Sequence, residues 1–337
     1  MRLMPMLLCL CCLCGLIREA GAQPQSWPAL TSQHLGLVIN DDEPNSVAIG
    51  ELYRAEHQIP AKNIAHVRIP GRPRKLGAAE FQTLKAQIDA QLGAEVQAVL
   101  MVWTAPYAVE CNSITSAYSN GYDGQQCDKP CGPGKPSPYF DAPDHRVAGG
   151  RISMLMPTES LALGKELIAR GTARFFQLPK ATAYFLNTSD RARSTRAAYF
   201  PPSGRVPSKE LNIKTMNLDV LEGAQDVMVY QTGAIRVAKL ETLRFLPGAL
   251  ADHLTSSGGD LLGDSQMSSL RWLEAGATAS YGTVSEPCNY WQKFPNSRVL
   301  LKHYLNGASA IEAYWASVAW PAQGVFIGDP LAAPYRR

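Results

Sequence analysis

The chain has 337 residues, 46% hydrophobic and 18% charged, with 32 Lys and Arg against 29 Asp and Glu. That apolar content suits one large or two modest globular domains and excludes an intrinsically disordered chain. A formal net charge of +3 excludes a polyelectrolyte tail and argues against a broad nucleic-acid-binding surface.

The amino end reads as a secretory signal. Arg2 supplies a basic start, an apolar run extends from Leu3 to Ile17, and Ala20-Gly21-Ala22 closes it, which predicts cleavage after Ala22. The run is short for the ~30 Å of a bilayer core, and neither Cys12 nor Cys14 follows the small residue that lipidation needs. No later stretch is long and apolar enough to span a membrane, so the expected product is exported, periplasmic or secreted, with no stable membrane span. Cleavage removes Cys9, Cys11, Cys12 and Cys14 and leaves Cys111, Cys127, Cys131 and Cys288. An even set in an oxidising compartment predicts two disulfides rather than a zinc site, with Cys111 joined to Cys127 or Cys131 and Cys288 to the other. No metal or cofactor is expected.

From residue 35 apolar runs alternate with helical periodicity. Leu35–Asn40 is a strand, followed by a helix carrying Ala48, Leu52 and Ala55 and capped by Asn45 or Ser46. Ile64–Ile69 is a second strand. Phe81, Leu84, Ile88 and Leu92 mark a helix that Gly93 ends, and Val96–Thr104 is apolar enough for a strand covered on both faces. Residues 108–148, rich in Gly, Pro, Ser and Tyr, interrupt the rhythm and hold three of the four mature cysteines. They form either a lid or binding loop, or a structural flap. Strands then follow at Ile152–Met156, Ala181–Leu186, Leu211–Met216, Val227–Tyr230, Ala277–Val284 and Val325–Ile327. Helices run through Leu161, Leu167 and Ile168, through Met267, Leu270 and Leu273, and through Ile311 and Trp315. The repeated β-α-β units predict an α/β domain over 23–337 built on a mostly parallel, helix-covered sheet, with a division into 30–205 and 206–337 left open.

Standard catalytic motifs are missing. The sequence has no Gly-x-Ser-x-Gly elbow, no His-Glu-x-x-His and no phosphate loop; Gly132-Pro-Gly134-Lys lies between cysteines without a preceding strand. Acid–base candidates are Asp252, His253 and Glu286. Asp252 and His253, taken as neighbours on a helix, diverge and do not serve one another. His34, His57, His66 and His303 read as surface residues, and His145 is ambiguous. Asn40, Asp41, Gln231, Thr232 and Glu286 each lie just beyond or at the end of a predicted strand. Parallel strands would bring them to one carboxyl-edge cleft with the cysteine loop. Gln231 and Thr232 hydrogen-bond without titrating, which suits recognition of a peptide or sugar.

Several longer segments carry a resemblance: Leu37 to Ser46, Cys111 to Ser116, Phe245 to Gly259, Gln266 to Pro287 and Gly324 to Leu331. Together they resemble an uncharacterised exported family of bacteria that possess exosortase sorting systems, which implies a setting and no reaction. Gly276 to Val284, Gly307 to Tyr314 and Gly328 to Leu331 are similar to the gingipain-type cysteine peptidases, which implies a caspase-like sheet. The His of that family's dyad would fall near Tyr230-Gln-Thr-Gly-Ala234 and its Cys near Phe245-Leu-Pro-Gly-Ala249, and this sequence has neither. The expectation is a non-catalytic, caspase-like binding protein for exported polypeptide or envelope polysaccharide. The alternative is a hydrolase with a rearranged site drawn from Asp252, His253, Glu286 or Cys288.

Overall fold

The structure, a computed structural model, describes residues 29–336. The signal segment, its cleavage site at Ala22 and the four cysteines before it lie outside the described residues. Fourteen strands are described: β1 (Leu35–Asn40), β2 (Ile64–Val67), β3 (Lys75–Leu76), β4 (Ala98–Val102), β5 (Ala108–Val109), β6 (Asn112–Ser113) and β7 (Ile152–Leu155), then β8 (Ala181–Asn187), β9 (Gly204–Val206), β10 (Leu211–Asn217), β11 (Val227–Gly233), β12 (Phe245–Leu254), β13 (Ala279–Thr283) and β14 (Gly324–Gly328). The helices are α1 (Pro44–His57), α2 (Ala78–Gln91), α3 (Ile114–Asn120), α4 (Gln125–Asp128), α5 (Leu161–Thr172), α6 (Leu270–Glu274), α7 (Ser297–Leu305) and α8 (Ala310–Ser317).

Eleven strands form one sheet in the order β2-β1-β4-β7-β14-β13-β12-β11-β8-β10-β9, and β3, β5 and β6 form a small second sheet. Within the large sheet only β13–β14 and β9–β10 pair antiparallel. The fold is therefore the mostly parallel α/β sheet that the sequence predicts. The central strands β1 and β4 are buried along their whole length, as their unbroken apolar sequences require, whereas the outer strand β2 alternates and β10 stays half-exposed. Helices cover both faces. Along β12, Tyr314 of α8 packs near the Asp252 side and Trp272 of α6 near the His253 side; successive strand residues point to opposite faces.

Three local expectations change. Pro44, not Asn45 or Ser46, opens α1, with Glu43 at the cap position; proline suits a first helical residue because its missing N–H has no partner there anyway. Asn45 instead reaches across to donate to the Thr158 carbonyl at 2.8 Å. Phe245–Leu254 is a ten-residue strand, so Asp252 and His253 are strand neighbours rather than helix neighbours. Residues 245–249 accordingly begin that strand rather than follow it. The interruption at 108–148 carries two short strands and two helices and forms an ordered crossover between β4 and β7.

Both expected disulfides form. Cys111 joins Cys127 with Cα atoms 5.3 Å apart, and Cys131 joins Cys288 with Cα atoms 5.2 Å apart. Among the described residues no helix is long and apolar enough to cross a membrane, and no group of His, Cys, Asp and Glu could hold a metal ion.

Candidate functional site

The sequence candidates on β11 and β12 form a sealed polar cluster. Gln231 and Asp252 are register partners, and the Gln231 amide donates to Asp252 Oδ2 at 2.8 Å. Arg196, from the turn at 195–199, donates to Asp252 Oδ1, to the Asp252 carbonyl at 3.1 Å and to the Thr232 carbonyl at 2.8 Å. All four residues are buried. Burial pushes the Asp252 carboxyl above the usual carboxylate range, against the pull of the Arg196 guanidinium and the Gln231 amide. His253 faces the other side of the sheet, and its Nδ1 accepts the Trp272 indole N–H at 2.9 Å. Burial lowers its pKa to about 3, so the ring is neutral with its proton on Nε2. A neutral, enclosed imidazole whose free lone pair is already engaged cannot act as a general base.

The connection from β12 to α6 closes over this cluster. Thr283 Oγ1 donates to the Thr255 and Ser256 carbonyls, and the Gly259 N–H donates to the Thr283 carbonyl at 2.9 Å. Backbone lies on backbone here: a Cβ on Gly282 would sit 2.4 Å from the Gly258 carbonyl carbon, so only glycine fits. Glu286 lies elsewhere. Its carboxylate accepts the Cys288 N–H at 2.7 Å, and its carbonyl accepts from the Gln323 amide at 2.6 Å. Cys288 is disulfide-bonded and offers no thiolate.

The five residues expected to share a cleft do not converge. Asn40 and Asp41 bond within the β1–β2 region, Gln231 and Thr232 bond around Asp252, and Glu286 braces Cys288. No hydrogen bond among the described residues links one set to another. The antiparallel β13–β14 junction sends β1 to the opposite edge from β11 and β13; Gln231 and Thr232 stand apart from Glu286 because they lie buried within β11 rather than beyond it. Two histidines also differ from expectation. His57 is buried and bonds Asp329 at 2.8 Å beneath Tyr53, and His303 is buried and bonds Asp141 at 2.9 Å.

The exposed chemistry lies at the end of β1. β1 pairs with β2 on one side and β4 on the other, and at such a reversal of strand order open α/β folds place their ligand crevice beyond the strand ends. Asn40 Oδ1 accepts from the Ile69 and Asp42 N–H groups at 3.0 and 3.2 Å, and the Asn40 N–H donates to Ser46 Oγ at 2.9 Å. Thr158 Oγ1 donates to Glu43 Oε1, and its N–H donates to Thr104 Oγ1 at 2.9 Å. Arg72 Nη2 lies 3.6 Å from the same Glu43 oxygen and also pairs with Glu159. On the rim, Asp41 meets His66 and Asp42 meets Arg68, each at 2.8 Å.

Two buried atoms in this crevice have no hydrogen-bond partner, the donor Asn40 Nδ2 and the acceptor Glu43 Oε2. The chain matches no protein-family model, no curated protein and no solved structure. The site must therefore be judged on its own chemistry. Burial raises the Glu43 pKa, opposed first by the Thr158 hydroxyl and then by Arg72. Val47 in the first turn of α1 is 37% exposed and Leu161 at the start of α5 is 41% exposed, both on the helices that flank the crevice. Asn40 was legible as a site residue because it ends a strand. Glu43, Thr104, Thr158 and Arg72 were not; the one available signal was a carboxylate immediately before a helix-opening proline.

Proposed function

We propose that the protein is an exported, non-catalytic polypeptide-binding protein whose site is the crevice beyond β1 and β4. The single observation behind this reading is the pair of buried, unpartnered polar atoms, Asn40 Nδ2 and Glu43 Oε2. A ligand offering one acceptor and one donor, as a peptide unit does, would satisfy both at this switch point. The flanking Val47 and Leu161 suit an aliphatic side chain, and the interleaved rim of Asp41, Asp42, Arg68 and Arg72 suits a polar backbone of no net charge. Export follows from the amino-terminal signal and agrees with two disulfides. The caspase-like and exosortase-associated assignments rest on sequence resemblance. A hydrolase built on Asp252, His253, Glu286 or Cys288 is set aside, because the first two are enclosed, Glu286 accepts the Cys288 N–H and Cys288 is disulfide-bonded.

The test is a random-peptide display screen of the exported protein, run beside a panel of neutral and acidic oligosaccharides. Peptides should be enriched, and Glu43→Gln or Asn40→Ala should weaken the selected peptides by roughly ten- to a hundredfold, the worth of one buried hydrogen bond. Binding of saccharides alone, or peptide binding indifferent to both substitutions, would overturn the reading.

A further inference from the structure

A second surface, independent of the crevice, carries a different chemistry. The loop between α5 and β8 reads Ala173-Arg-Phe-Phe-Gln-Leu-Pro-Lys180, and Phe176 at its tip is 101% exposed. The other exposed large apolar side chains of the described residues keep half or more of their surface covered. A phenylalanine held wholly in water offers its full apolar area for burial in an interface.

The surroundings of Phe176 are cationic. Arg174 and Lys180 flank it in the loop and are both exposed. Arg336 on the far wall is paired with Glu312, so the cations turned to solvent are the two in the loop. The acidic residue of this wall, Glu210, is paired with Arg205 at 3.4 Å, so it removes no net positive charge. Phe175, Leu178, Pro207 and Pro334 line the groove behind the loop, a cavity of about 700 Å³.

From this juxtaposition of a fully exposed aromatic tip with two exposed flanking cations, we propose that the 173–180 loop docks the protein on an anionic phospholipid surface. Phe176 enters the interface, and Arg174 and Lys180 meet lipid phosphates. Charge complementarity selects this occupant, since each exposed cation near an anionic leaflet adds favourable energy and an aromatic ring partitions to headgroup depth. An acidic peptide lying in the groove is the competing occupant. It would lie along the groove walls, Phe176 among them, and would need no lipid surface.

The experiment is co-sedimentation of the purified exported protein with vesicles of mixed phosphatidylglycerol and phosphatidylcholine, against vesicles of phosphatidylcholine alone. Binding should require the anionic lipid and fall at high salt. Phe176→Ser should lower partitioning by about tenfold, and Arg174→Glu with Lys180→Glu should abolish it, with unfolding midpoints unchanged because all three side chains are exposed. Phe176→Trp should retain binding and show an indole emission shift to shorter wavelength on mixing with anionic vesicles. Absence of binding to anionic vesicles, or binding indifferent to Phe176→Ser, would overturn the proposal. Capture of a poly-glutamate peptide without vesicle binding would overturn it in favour of the peptide.

Discussion

Replacing Arg196 by Met removes the one cation that faces Asp252 while keeping an apolar stem of similar length. The carboxyl then stays buried with only the neutral Gln231 and Tyr314 beside it, and the Thr232 and Asp252 carbonyls lose the Arg196 donor. Asp252 already titrates above the ordinary range because of burial. Without the guanidinium its folded-state pKa rises further, and the cheapest response is to take up a proton. Protonating an aspartate of unfolded pKa about 3.9 at pH 7 costs up to about 4 kcal/mol, close to the ~3–5 kcal/mol expected for breaking a buried ion pair. The sign of the pH dependence follows. A group whose folded pKa lies above its unfolded value contributes fully below the unfolded pKa and loses that contribution as pH rises through the folded one. The deficit of Arg196→Met relative to the parent should therefore shrink by up to about 1.4 kcal/mol per pH unit between about pH 7 and pH 5. Urea unfolding at several pH values measures it. Adding Asp252→Leu should recover most of the loss at neutral pH. A deficit below about 1 kcal/mol at pH 7, or one flat across this range, would refute the account of Asp252 as a carboxylate held by Arg196.

The two disulfides should differ in worth because they close chain segments of different length. Their sequence separations are 157 for Cys131–Cys288 and 16 for Cys111–Cys127, so paired Cys→Ala replacements should cost about 5 and about 3 kcal/mol in the chain-entropy model; equal losses in urea midpoint would contradict it. Gly282→Ala should destabilise by about 1–3 kcal/mol and speed proteolytic cleavage within 255–269, because the added Cβ meets the Gly258 backbone; an unchanged digestion rate would show that the closure over β12 tolerates separation.

The strands around the first half of the sheet were readable because they are short, apolar and buried on both faces, as Leu35–Asn40 and Ala98–Val102 show. β12 was not readable. It begins with Phe245-Leu-Pro-Gly and ends with Asp252-His253, and proline, glycine and two titratable residues do not advertise a central strand. They are tolerated there because partners distant in sequence satisfy them: Arg196 for Asp252, Trp272 for His253 and Thr278 for the Gly248 N–H. The direction of β14 was hidden for a similar reason. Two helices, α7 and α8, separate it from β13, which would suit a parallel crossover, yet β14 returns antiparallel. That reversal parts Asn40 and Asp41 from the other expected cleft residues, and burial within β11 parts Gln231 and Thr232 from Glu286. At the crevice, Asp41 was visible and proves to be a rim residue bonded to His66, whereas the buried Glu43 is defined by Thr158 and Arg72, which no local pattern connects to it.

The cysteine-bearing crossover illustrates how the lid and flap readings separate on physical grounds. A lid needs a segment of low local stability that swings about its ends. Here both disulfides lie within or at the end of the first half of the segment, and Asn112 exchanges hydrogen bonds with the Asp123 backbone at 2.9 and 3.0 Å. The second half is stitched along α8 and the turn after it, by Ser137 N–H to the Ala319 carbonyl and Asp141 N–H to the Ala316 carbonyl, each at 2.8 Å. Lys302 and His303 then hold the Asp141 carboxylate, and His145 lies 3.0 Å from the buried Glu312. Glu312 in turn accepts the Leu30 N–H and pairs with Arg336, so the same contacts fasten both ends of the described chain. Opening the crossover would break all of these together. The segment is thus a clamp joining β4, the chain after β13 and α8, and the flap reading holds rather than the lid.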